Sequence, residues 1–290
     1  MAIVSARGEA EPFDADGQPY GAFGKGTPAL RGFRLTFPPS RQRELVLIQV
    51  LPGGDAIDLT PNAQNQPSTI PDGRLQVALQ DANPTGEEFR YNVSHSVMQI
   101  PGARRYQIRD VGCAGECSRT LPNEIFGTGL PRLQDQNPVI ALVGFKLFFI
   151  GNRQHEIDRI GVLFDGHELK LRLRDQSVNL ADTFGYLVDF VVIPSVGFNV
   201  STGVMRGTAA GIQTVPLPSP SHANFMITGW TFNFQAGDRE ILDIGVLRGA
   251  DTLSVFYGDN GGGEVFDWRV SWAHIAPRVL APLVVAPVGE

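Results

Sequence analysis

Cysteine is almost missing from this 290-residue chain, with Cys113 and Cys117 the whole complement. A tetrahedral zinc site needs four nitrogen or sulfur ligands, and two thiols with no histidine beside them cannot complete one. The five histidines, His95, His155, His167, His222 and His274, are scattered with no pair at helical spacing, so neither a metal site nor a triad follows. Charge is also sparse. Asp, Glu, Lys and Arg make up 19% of the chain, the net charge is −6, and no block of basic residues appears. The electrostatic footprint of a nucleic-acid binder is therefore lacking. There is no long apolar run either. The tail Val279 to Val288 is broken by Pro282 and Pro287 and falls short of the about 20 residues a spanning helix needs, so no membrane insertion is expected. Residues 1–8 show no basic segment leading into an apolar one, and no classical secretory signal is expected. A Gly-x-Ser-x-Gly elbow, a phosphate loop and a dinucleotide fingerprint are all lacking, and Gly24-x-Gly26 precedes a strand pattern rather than a helix. These gaps predict a chain that is not an enzyme and uses no cofactor.

What the chain does have is turns and repetition. Its 33 glycines and 21 prolines imply many turns, and 42% apolar content supplies a core. The stretch Ile227 to Pro277 begins Gly229-Trp230-Thr231-Phe232-Asn233-Phe234, turns at Arg239-Glu240, and ends Phe266-Asp267-Trp268-Arg269-Val270-Ser271-Trp272. Trp230, Phe232 and Phe234 alternate with Thr231 and Asn233, the period of a strand with one buried side. The same scheme occurs upstream as Gly144-Phe145 to Pro194 and as Gly32-Phe33 to Pro101. Glu156 and Asp175 are 19 residues apart, and so are Glu240 and Asp259. The chain is a triplication of a four-strand unit. Before each unit lies a leader, which includes Ile3 to Gly8, Ile108 to Gly112 or Val200 to Gly203.

The fold expected is all-β, with three tandem antiparallel β-sandwich repeats at 1–101, 102–194 and 195–277, followed by an extended Pro-rich tail at 278–290. The alternative is a single pseudo-threefold, β-prism-like assembly of three four-stranded sheets around a shared axis. Copy 1 alone carries an insertion, 52–73, read as a surface loop that the fold does not need.

Three sets of residues stand out as candidate sites. Cys113 and Cys117 flank a turn-like loop and are either bridged as a disulfide or free. Glu44, Glu156 and Glu240 recur at the corner before the second strand; threefold recurrence points to a structural corner rather than to catalysis. Val279, Leu280, Leu283, Val284, Val285 and Val288 make the tail an assembly arm that docks on a neighbour. The acidic turns after Asp81, Asp175 and Asp259 are read as turn chemistry, not as calcium loops.

Phe266-Asp267-Trp268-Arg269-Val270-Ser271-Trp272-Ala273 resembles the final strand of H-type lectin domains. That resemblance implies small antiparallel sandwiches that bind sugars and assemble as trimers. It covers one strand of the third copy, and Tyr91 and Tyr186 stand where Trp268 does, so no sugar-binding residue is carried over. The expected function is a non-enzymatic structural or surface-attachment protein of a large assembly, such as a phage virion or phage-tail-like particle, with protein partners. Its expected place is a virion or particle surface. The alternatives are a carbohydrate-binding module with glycan partners and, third, a glycan-active enzyme.

Overall fold

The computed structural model describes residues 2–10, 17–38, 44–60, 70–82, 88–126, 138–150, 156–176, 183–195, 197–217, 224–235, 240–259 and 265–277. Copy 1 supplies β1 (Ala2–Ala10), β2 (Gln18–Pro19), β3 (Thr27–Thr36), β4 (Leu45–Pro52), β5 (Ile57–Asp58), β6 (Arg74–Asp81) and β7 (Phe89–Met98). Copy 2 supplies β8 (Arg104–Ala114), β9 (Glu116–Thr120), a helical turn at Asn123–Phe126, β10 (Val139–Phe149), β11 (Ile157–Asp165), β12 (Glu168–Asp175) and β13 (Thr183–Ile193). Copy 3 supplies β14 (Phe198–Ala210), β15 (Gln213–Pro216), β16 (Phe225–Phe234), β17 (Ile241–Arg248), β18 (Thr252–Asp259) and β19 (Val265–Pro277).

These strands form three sheets with the orders β1-β7-β3-β17-β18-β15, β2-β6-β4-β10-β13-β8-β5 and β14-β19-β16-β11-β12-β9. Each sheet joins the first and fourth core strands of one copy to the second and third core strands of the copy before it. Copy 3 closes the ring by lending β17 and β18 to copy 1 through the β17–β3 pairing. The all-β class holds. Of the two arrangements expected, the pairing produces the pseudo-threefold one, because β4, β11 and β17 bond to a neighbouring copy's first strand instead of turning back onto their own. The ranges 1–101, 102–194 and 195–277 mark the repeat period along the chain, while hydrogen bonding runs across them. The leaders extend the sheets at their outer edges.

The exchange lets each half-apolar sheet turn one face toward a common core. Equivalent residues Phe33, Phe145 and Trp230 meet there with ring centroids 5.0 to 5.1 Å apart, all fully buried. The glycine before each aromatic is required by close approach: a Cβ on Gly144 would stand 2.4 Å from the Val50 carbonyl, and one on Gly32 2.9 Å from the Val246 carbonyl. Just before these glycines every first strand carries the same bulge, with Arg31, Val143 or Thr228 as the extra residue. A bulge moves the chain on by one residue and so swaps the inward face. Ala29, Ala141 and Met226 on its far side enter a second buried cluster, with Met98, Ile193 and Ile275. In copy 3 the register pairs Trp230 with Val270 and Phe232 with Trp268, so the expected aromatic face is buried as a unit.

The insertion 52–73 departs from its reading as a dispensable surface loop. β5 lies parallel on the outer side of β8, the Leu59 amide donates to the Gln107 carbonyl, and Arg109 pairs with Asp58 at 3.2 Å. Residues 61–69 fall outside the described residues.

Candidate functional site: open sheet edges and a junction cleft

Cys113 and Cys117 are joined by a disulfide across the β8–β9 turn. Gly112 and Gly115, at φ 92° and 61°, supply the left-handed backbone that brings the two cysteines together. Cys113 is buried in the main core with Cys117 packed beside it, so the bridge anchors this turn inward. Glu44, Glu156 and Glu240 lie directly before β4, β11 and β17, each at the end of a different sheet. The Glu44 carbonyl accepts from the Ala82 amide and the Glu156 carbonyl from the Gln176 amide, tying the start of the second strand to the end of the third. Their neighbours Arg43, His155 and Arg239 lie outside the described residues, as do residues 83–87, 177–182 and 260–264 of the acidic turns. The arm residues Val279, Leu280, Leu283, Val284, Val285 and Val288 lie outside them too. Among the described residues no group of three or more His, Cys, Asp or Glu side chains is placed to hold a metal ion. No helix among them is long and apolar enough to cross a membrane.

The outer strands of the three sheets differ from one another. β14 pairs with β19 through thirteen consecutive residues with no shift of register. Gly203 and Gly207 on β14 make room for the Trp272 and Trp268 rings opposite, which would lie 2.6 and 2.8 Å from an added Cβ. On its other side nothing among the described residues pairs with β14, so every second residue points its amide and carbonyl outward. β1 is the corresponding edge of its sheet, nine residues long and also unbulged. β8 is different. It bulges at Gly112 and is covered in part by β5. Edges are ordinarily blunted by lysine, proline or bulges. Of the thirteen residues of β14 only Arg206 is charged, none is proline, and Val204 is 45% exposed.

A second feature occurs at the junction of copies 1 and 2. A cleft of about 380 Å³ lies between the turn at Phe23–Gly26, the two ends of the insertion and the start of β8. The Asp72 carboxylate forms one wall and accepts from the amides of Phe23 at 3.0 Å, Gly24 at 3.2 Å and Gly73 at 3.0 Å. Arg105 forms the floor. Its guanidinium pairs with the buried Asp189, donates from Nη1 to the Gly53 carbonyl at 2.8 Å, and donates from Nη2 to the Pro52 carbonyl at 2.7 Å. Behind the cleft, Phe23 packs on His95, which is wholly buried. His95 Nε2 lies 2.6 Å from the Val143 carbonyl, to which only an N–H can donate, so in the neutral ring Nδ1 accepts from the Tyr20 hydroxyl at 2.6 Å. Burial pushes the His95 imidazole down to about 4 and raises the Tyr20 phenol above its ordinary value. Sequence reading did not find this cleft, because Lys25, Asp55, Asp72 and Arg105 belong to separate segments. The one signal was the insertion peculiar to copy 1.

No family model and no curated protein matches this chain. Among solved structures it is similar to one described as "Life in the extremes: atomic structure of Sulfolobus Turreted Icosahedral Virus", at 10% identity over 88% of this chain and 81% of that chain, with a TM-score of 0.13. It is similar also to one described as "The Triple Jelly Roll Fold and Turret Assembly in an Archaeal Virus", at 11% identity over 94% of this chain and 82% of that chain, with a TM-score of 0.14. TM-scores at this level carry no argument about fold or function.

Proposed function

We propose that the chain is a non-enzymatic structural protein that self-associates through an open sheet edge, and that it serves at the surface of a larger assembly such as a virion or phage-tail-like particle. The observation that supports this is β14, thirteen residues of unbulged edge with a single charge. Such an edge is a template for strand addition, in which backbone hydrogen bonds supply affinity. A second copy fits this edge. Antiparallel β14–β14 pairing centred on Val204 sets Arg206 opposite Thr202 and Thr208 opposite Val200, with no like charges facing across the ladder. Because the contact is self-complementary it closes as a twofold dimer, and β1 remains as a second edge from which an assembly can extend.

Light scattering of the purified chain tests this reading. The native protein is expected to be a dimer or larger. Val204→Lys, which sets two lysines directly opposite each other at the centre of that pairing, is expected to yield monomers with an unchanged melting temperature, since the side chain is exposed. A native chain that is monomeric at every concentration tested overturns it.

A further inference from the structure

We propose that the cleft at the junction of copies 1 and 2 is a binding site for a neutral polyhydroxylated ligand, with the ring of a single saccharide unit as its chemical class. This inference does not depend on strand addition at β14, which belongs to another sheet, and β19, the strand that resembles H-type lectins, contributes nothing to the cleft.

The charges in the cleft select against an ion. Lys25 and Asp55 both line it, both are exposed, and neither has a partner among the described residues. Arg105 is already neutralised by Asp189, and Asp72 adds a further negative charge. An anion would meet Asp55 and Asp72, and a cation would meet the Lys25 ammonium. A hydroxyl both donates and accepts, so neighbouring hydroxyls on one ring can satisfy an ammonium and a carboxylate together without bringing in charge. Further polar capacity faces the same space. Of the five N–H groups of Arg105, one on Nη1 is left after the bonds to Asp189, Gly53 and Pro52. The Asp72 oxygens retain lone pairs beyond the three amides they accept from. Apolar contact for the face of a ring comes from Pro28, Ile70 and Val191.

The cleft is also rigid before anything binds. The Gly26 amide donates to the Phe23 carbonyl at 2.8 Å, and the Gly54 amide donates to the Ile70 carbonyl at 3.1 Å. Gly54 sits at φ 106°, and a Cβ there would stand 2.9 Å from Arg105 Nη1, so a side chain at this position would close the floor. Walls held by backbone bonds lose little freedom on binding. About 380 Å³ is at the lower end of the volumes that ligand clefts occupy, enough for one or two small rings. Copies 2 and 3 lack the insertion that builds two of the walls, so one such site per chain is expected.

Amide NMR of the full chain, titrated separately with D-glucose, D-galactose and N-acetylglucosamine, tests the proposal, with glycine and inorganic phosphate as the zwitterionic and anionic alternatives. The expected result is a saturable shift of the Gly24, Gly26 and Gly54 amides with at least one saccharide. Asp55→Ala and Lys25→Ala, each at an exposed position that leaves the fold intact, should weaken that binding about tenfold, the loss of one charge-assisted hydrogen bond. No saturable shift with any of the three saccharides overturns the proposal. So does saturation by glycine or phosphate in preference to them, or an affinity unchanged in both variants.

Discussion

At the axis the three copies are nearly interchangeable, whereas at the junctions each pair of neighbours meets on its own chemistry. Phe33, Phe145 and Trp230 occupy one position of the repeat and pack as a near-symmetric triad. One residue further on, the chain reads Arg34, Lys146 and Thr231, and opposite them stand Gly245, Gln49 and Gly161. Copy 3 meets copy 1 through a charge, as Arg34 Nε donates to Asp243 at 3.0 Å and the guanidinium lies 4.1 Å from the centre of the Phe256 ring. Copy 2 meets copy 3 without a charge at this position: Gly161 faces Thr231 at the same close approach that Gly245 makes to Arg34, an added Cβ lying 2.7 and 2.6 Å from the Cα opposite. Copy 1 meets copy 2 through Lys146 beside Gln49 and through Arg105 reaching the carbonyls of Pro52 and Gly53. Similar cores alone would let any half-sheet pair with any other. Unlike junctions make one cyclic order better than the rest, which is specificity by difference.

The largest effect should come from the axis. Phe145→Ala removes a fully buried ring shared by all three sheets, and a loss of about 3 to 5 kcal/mol is expected in denaturant unfolding. The unfolding should remain one cooperative transition, since every sheet contains strands of two copies. Two separated transitions would show instead that copies unfold as units and would break the comparison at its base.

Next in size is a pH effect confined to one junction. His95 holds the position that Phe190 and Trp272 hold in the other copies, and only His95 titrates. Burial is the main cause that keeps it at about 4 against an ordinary 6.5, and the positive charge of Arg105 lowers it further. As pH falls from 6.5 toward 4 the unfolded chain takes up a proton that the folded chain refuses. The stability this group contributes above pH 6.5 is therefore lost on acidification, by roughly 3 kcal/mol near pH 4. In His95→Phe that part of the slope between pH 6.5 and 4 should vanish, whatever the variant's absolute stability; an unchanged slope would assign the acid loss to other groups.

Arg34→Ala tests the copy 3–copy 1 junction. Its side chain is 33% exposed, and solvent screening limits the pair's worth, so a loss of about 1 kcal/mol is expected in thermal or denaturant melts. A loss as large as that of Phe145→Ala would mean that this ion pair, and not the axis, governs closure of the ring.

The alternation of Trp230, Phe232 and Phe234 was enough to place a buried face, and the recurrence of Gly-aromatic pairs was enough to find the repeat. What the alternation could not show is the partner of each strand. A ladder is made by backbone groups that every residue carries, so whether Ile160 lies beside Leu147 or Phe232 leaves little trace in residue type; it pairs with Phe232, of the next copy. The same limit hid the docking of the insertion, whose Asp58 pairs with Arg109 in the middle of β8. It hid the cleft too, where Lys25 and Arg105 are eighty residues apart in the chain and meet only because copies interlock. The disulfide was easier to suspect, since Cys113 and Cys117 share one turn.

The smallest expected effect is also the sharpest test of the axis. Trp230 is the member of the triad that breaks its symmetry, and its indole N–H is buried with no hydrogen-bond partner among the described residues. Trp230→Phe makes the three positions identical and has two opposed consequences. The smaller ring leaves unfilled volume, which in a close-packed interior costs roughly 1 to 3 kcal/mol. Removing an unsatisfied buried donor recovers a desolvation penalty of about 1 to 3 kcal/mol. The two nearly cancel, so a change in stability within about 1 kcal/mol is expected, far below that of Phe145→Ala. The reciprocal change, Phe33→Trp, adds both volume and a second unpartnered N–H to a site with no room for either, and should cost about 1 to 3 kcal/mol or more. Chemical denaturation of the two variants decides the matter. Near-neutrality for the first with a clear loss for the second means that the axis tolerates symmetry and resists further asymmetry. A large loss for Trp230→Phe would instead mean that the indole's volume is what fills the centre, and that the triad is built around copy 3 rather than shared equally among the copies.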